Sequence, residues 1–185
     1  MLVMVSVIAV GFMSAQKNTL LVGGNIGYES EKVSVGSSDT KSKTFEFSPT
    51  VGYQFNDNWT AGVQSTIGST KITAGGTDEA KTSNFSIGGF VRYAQGLNDT
   101  FAVYGDLGAG YQTEKNKIAD ITGNGFYIGF TPALFINFKN SFGLNFSIGG
   151  IRYETLDWDG GADTSGFNLN FGKTVNIGIS KNFKL

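Results

Sequence analysis

Eight stretches of this 185-residue chain alternate apolar with small polar residues at a period of two, and past Asn18 no window shows a helical period. Thr19 to Tyr28 puts Leu20, Val22, Ile26 and Tyr28 on one face and Gly23, Asn25 and Gly27 on the other. Thr44 to Phe55 sets Phe45, Phe47, Val51, Tyr53 and Phe55 against Thr44, Glu46, Ser48, Thr50, Gly52 and Gln54. The segments 59–70, 83–93, 101–111, 124–138, 142–151 and 167–180 follow the same rule. A chain written this way folds as strands.

The connections fix how the strands are joined. Three are short, at 56–58, 94–100 and 139–141, and four are long and polar, at about 29–43, 71–82, 112–123 and 152–166. Short and long alternate strictly, so one end of the structure holds three tight turns and both termini, and the other holds four loops. This asymmetry predicts an all-β, eight-stranded antiparallel up-and-down transmembrane β-barrel with short periplasmic turns and four longer extracellular loops. Closure with an even strand count leaves no free edge. The hairpin from Phe47 to Val63 recurs, at an offset of 83, from Phe130 to Phe146, so the chain reads as two related four-strand halves.

Alternation alone leaves open which face is outside, because a soluble lipocalin-like carrier also alternates, with its apolar side inward. Charge placement decides. The eight segments contain four charged residues, Glu46, Arg92, Asp106 and Lys173, out of 29 in the chain. A soluble barrel needs charge on the outer face of its strands; here the non-apolar face is Gly, Ser, Thr, Asn and Gln, which suits a narrow bore. The apolar face is therefore expected to meet hydrocarbon, with Lys173 as the outward exception that snorkels to the headgroups. Phe55, Trp59, Tyr93, Phe101, Phe138 and Phe142 flank the tight turns and form the expected periplasmic girdle. Tyr28, Phe45, Phe85, Tyr111, Phe126 and Phe167 form the expected extracellular one. Pro49 and Pro132 fall inside strands and predict a local bulge or bend at each. Arg152 falls on the apolar parity of its strand, which means either a strand end at the surface or a one-residue slip.

Composition narrows the function. The chain has no Cys and no His, which removes disulfides, thiolate chemistry, the commonest metal ligand and the usual general base. Its net charge of −1 speaks against a nucleic-acid partner. No cofactor is expected. The apolar run from Leu2 to Phe12, followed by Ser14, Ala15 and polar residues, reads as a signal peptide over residues 1–16 preceding a barrel domain over 17–185.

The strand Phe47-Ser-Pro-Thr-Val-Gly-Tyr-Gln-Phe55 running into Asn56-Asp-Asn-Trp59, with the last strand Asn176-Ile-Gly-Ile-Ser-Lys-Asn-Phe183, resembles the small OmpA/OmpX-like outer-membrane β-barrel proteins of Gram-negative bacteria. That resemblance implies a location in the bacterial outer membrane, a monomer, and a structural or surface-interaction role carried by the extracellular loops. It also implies that the C-terminal strand, through Gly178, Phe183 and Leu185, is the insertion signal for the barrel assembly machinery.

Candidate chemistry is sparse. Glu46, Arg92 and Asp106 have inward parity and are expected to be buried, paired or hydrated as a plug, since an isolated charge in a narrow bore is costly. A conducting or gating role is the alternative; a catalytic dyad lacks a histidine base. Arg92 and Asp106 are on neighbouring strands and are expected to be displaced along the axis. Asp157-Trp-Asp159-Gly-Gly-Ala-Asp163 is read as a solvated turn, with a weak cation site as the alternative and Trp158 as an exposed contact residue. Gly105-Asp-Leu-Gly108-Ala-Gly110 is read as close-packing or lumen glycine, not a phosphate loop, because no helix follows.

Overall fold

The computed structural model describes residues 17–35, 38–140 and 142–185. They form one closed antiparallel barrel in simple sequence order. Its strands are β1 (Thr19–Val35), β2 (Ser38–Gln54), β3 (Trp59–Ala74), β4 (Thr77–Gly96), β5 (Phe101–Asn116), β6 (Ile121–Lys139), β7 (Phe142–Trp158) and β8 (Ala162–Lys184). The expected leader at residues 1–16 and the side chain of Lys173 lie outside the described residues.

Asn side chains build the first two tight turns. Asn56 Oδ1 accepts the N–H groups of Asn58 and Trp59, both at 2.9 Å, and Asn98 Oδ1 does the same for Thr100 and Phe101. These are Asx turns, which replace ladder bonds with a local side-chain acceptor. The four long polar segments at the opposite end are not irregular loops. The β1–β2 ladder runs unbroken to Val35↔Ser38, and β3 meets β4 through Gly75 and Gly76, whose φ angles of 57° and 89° suit a tight hairpin turn. A bilayer needs only ~9–11 residues of each strand. The surplus of these 16- to 23-residue strands stands above it as twisted hairpins. Water bathes both faces there, so neither face need be apolar and the period-2 signal fades.

The apolar face is the outer face. Among the described residues only Leu21, Phe90, Ala102, Tyr127 and Ala133 are buried hydrophobics, whereas Val63, Ile67, Ile87, Leu107, Ile128, Ile179 and many like them are exposed. The soluble-carrier arrangement would invert this.

The two strand prolines behave differently. At Pro132 the β6–β7 register shifts between Phe130↔Ile151 and Ala133↔Ser147, the expected bulge. At Pro49 the β2–β3 ladder skips two rungs between Phe47↔Ile67 and Thr50↔Gln64 without any shift, so no bulge forms there. Side chains cover the break, with Ser48 and Thr66 hydroxyls 3.0 Å apart. The Pro132 bulge settles Arg152. The extra β7 residue turns Ile148 and Ile151 both outward around Gly149 (φ 90°), and the parity flip sends Arg152 inward. Arg152 is thus the slip and not a strand end.

Candidate functional site

The bore divides into a packed lower half and an open upper half. Thr19, Gln54, Thr60 and Ala102 are buried near the tight-turn end. Above them lies a cavity of about 520 Å³ with polar walls, lined by residues from β1 through β8.

The floor of that cavity is an ion pair. Arg92 and Asp106 are direct partners in the β4–β5 register, and the contact is a two-pronged fork, Nε to Oδ1 at 2.7 Å and Nη2 to Oδ2 at 2.8 Å. Their side chains are 13% and 16% exposed. The guanidinium also lies over the Tyr104 ring at 3.8 Å and near Phe90 at 5.7 Å. Tyr104 donates to Asn145 Oδ1 at 3.0 Å, and Asn145 donates to Ser180 Oγ at 2.9 Å. One network therefore ties β4, β5, β7 and β8 across the bore. The expected axial displacement of Arg92 from Asp106 is wrong. β4 continues through Ala94, Gln95 and Gly96, so the turn is 97–100 and not the expected 94–100, and the register moves the two charges level.

Glu46 lines the same cavity but is exposed in its upper part, with the Ser48 hydroxyl donating to it at 3.1 Å. It was expected to be buried; it faces open bore because its row neighbours, Gly27 and Gly68, carry no side chains. Three further charged residues join the wall: Glu114, Arg152 and Glu154. Arg152 donates to Glu154 at 2.8 Å and to Gln112 at 2.7 Å, and lies 4.2 Å from the Tyr127 ring. Sequence reasoning missed Glu114 and Glu154 because both sit in segments read as loops, and it left Arg152 open between a strand end and the slip found here. A Cβ on Gly88 would collide with the Tyr127 hydroxyl, so this glycine makes room for the ring against which Arg152 lies, and its register partner Gly110 lets the two backbones approach closely.

On the outside, the aromatic residues sit near the two ends of the apolar band. Trp59 and Tyr93 pair across strands with ring centroids 5.0 Å apart, and Tyr111 and Phe126 do so at 5.9 Å. Tyr28 pairs with Phe45, and Phe167 with Tyr153. Phe55, Phe101, Phe138 and Phe142 stand exposed beside the tight turns, as Phe85 does higher on β4. Near the C-terminus Gly178 is buried against Asn25, Phe183 pairs with Leu20 and faces outward, and Leu185 donates its N–H to Asn18 O at 3.2 Å. In the acidic turn Asp159 is spent on the Thr122 N–H at 3.1 Å, and among the described residues no group of three or more metal-ligating side chains occurs. Trp158 is half-buried over Gly123 and bonded to Thr164 at 3.2 Å, less free than expected.

Each hairpin above the first, second and third long connections carries one Lys–Asp pair: Lys32–Asp39 at 2.8 Å, Lys71–Asp78 at 2.9 Å and Lys115–Asp120 at 2.8 Å. The lysine hydrogen bond holds each of these carboxyls below its ordinary range, with Ser34 assisting at Asp39. Asp120 raises Lys115 in return.

A closed eight-stranded barrel, apolar outside and polar within, defines a transmembrane β-barrel of the bacterial outer membrane. The chain belongs to the outer membrane protein β-barrel domain family, whose model matches residues 1–174. In fold it is similar to the outer membrane protein OprG from Pseudomonas aeruginosa, at 12% identity over 92% of this chain and 98% of that one, TM-score 0.58. It also aligns with Yersinia pestis Ail, at 17% identity, 90% and 100% coverage and TM-score 0.41. The translocator domain of the autotransporter NalP from Neisseria meningitidis aligns at 15% identity, 93% and 71% coverage and TM-score 0.44. No curated protein sequence matches it.

Proposed function

We propose that this protein is a non-conducting, non-catalytic outer-membrane barrel that acts through surface contacts made by its four extracellular hairpins. The observation that carries the reading is the Arg92–Asp106 fork, capped by Tyr104 and resting on the buried lower bore. Buried charges paired this way are costly to separate, so the fork is a plug and not a relay. The hairpins that stand above the membrane then supply the accessible surface.

Planar-bilayer recording of the folded chain tests this. The wild type is expected to stay silent, and Arg92→Ala with Asp106→Ala to introduce current steps. Regular steps from the wild type would replace this reading with a narrow pore for ions or small solutes.

A further inference from the structure

The barrel is not equally closed all the way round. Seven residue pairs join β1 to β8, from Thr19↔Lys184 to Asn25↔Gly178, whereas every other neighbouring pair of strands shares twelve to seventeen. Above Asn25 and Gly178 no further β1–β8 pair exists among the described residues. The cause lies in β8. Between Ser147↔Asn176 and Gly149↔Phe171, residues 172–175 of β8 face Ile148 alone, and Gly172 has φ 77°. This wide bulge lies directly above Gly178, where the zipped part ends.

The parted edges begin just below the Tyr28–Phe45 rung, at the upper rim of the apolar band. Ile26 and Tyr28 on one side are 71% and 68% exposed, and Val175 and Ile177 on the other are 58% and 56%. Backbone N–H and C=O groups left unpaired beside hydrocarbon need a polar partner, and the apolar side chains around them need an apolar one. Behind the gap is the polar cavity, reached past Asn25 and Asn176. The first charge inside is Glu46, one strand in from the seam, and its view of the seam crosses Gly27, which has no side chain. Both cavity arginines are already taken by Asp106 and Glu154. A bulged edge is also a poor template for strand addition, which disfavours a second copy of the chain as the occupant.

We propose that the upper β1–β8 seam is a side entrance that takes a single-chain amphiphile with an ammonium head, the head beside Glu46 and the chain between Ile26, Tyr28, Val175 and Ile177. This goes beyond the surface role above and is read by a different measurement, so either can fail alone.

Native mass spectrometry of the full chain, released from maltoside micelles after addition of dodecylammonium or dodecyl sulfate, provides the test. The expected result is one retained dodecylammonium per chain, with a preference over the sulfate of about fivefold, the scale of a part-exposed ion pair. Glu46→Gln should bring that preference close to one. Tyr28→Cys with Val175→Cys continues the zipped register in a chain that has no other cysteine, so oxidation should shut the seam and reduce retention to background, with reduction restoring it. Equal retention of both amphiphiles, an unchanged preference in Glu46→Gln, or full retention in the oxidised double variant would each overturn the proposal. So would a dimer mass without bound amphiphile, which would assign the free edges to a second copy.

Discussion

Arg92 and Asp106 concentrate the barrel's interior electrostatics in one contact. Removing one partner leaves a charge in a site where both side chains are less than a fifth exposed, so Asp106→Ala is expected to destabilise the folded barrel by about 3–5 kcal/mol. Replacing both with Met should cost much less than the single change, because no orphaned charge remains. Urea unfolding of the lipid-refolded protein, run as a double-mutant cycle, measures the difference; equal losses for the single and double variants would show that the fork is not coupled. The inward direction of both residues was legible from parity. Their contact was not, because Gln95 and Gly96 have turn-like composition but still belong to the ladder, and a strand end misplaced by three residues moves every cross-strand partner.

At the scale of the element, Pro132 and Gly149 re-aim a strand. Pro132 cannot donate to the ladder, β7 takes up an extra residue opposite it, and Arg152 turns from the lipid side to the bore. Gly149→Val at φ 90° should cost about 1–3 kcal/mol through backbone strain, more than the same change at an exposed extended glycine such as Gly89. Arg152 shows the limit of period-2 reading, since one bulge inverts all later positions and neither its site nor its hand is written in the alternation. The hairpins show a second limit: with water on both faces, β1 above Tyr28 and the part of β2 before Phe45 carry no amphipathic signal, though they are ordered ladders. Their Lys–Asp pairs give a pH test. A carboxyl held below its ordinary value stabilises the hairpin above that value and loses the effect as pH falls through the lowered one. Amide protection at Ser34 and Thr40 should therefore be greater at about pH 6 than at about pH 2, and Asp39→Asn should remove most of that dependence.

For the whole molecule, strand count, antiparallel order and outward greasy face all follow from period, connection lengths and the scarcity of strand charges. The unequal closure does not, because nothing in the alternation of β8 distinguishes a bulge over 172–175 from continued pairing. That inequality has a direct signature in hydrogen exchange. Successive amides of a strand point to opposite neighbours, so β1 residues 19–25, paired on both sides, should be protected without interruption. From Ile26 to Ser34 protection should alternate, with amides directed at β2 slow and those directed at the vacant β8 side fast. β3, paired along its length to both β2 and β4 except at the Pro49 break, serves as the internal reference. Unbroken protection along β1 up to Ser34 would mean that the seam zips fully and that the barrel is as tight there as elsewhere. Alternation beginning at Ile26 would place the opening at the height of Glu46, where the cavity, the glycine gap and the parted edges meet.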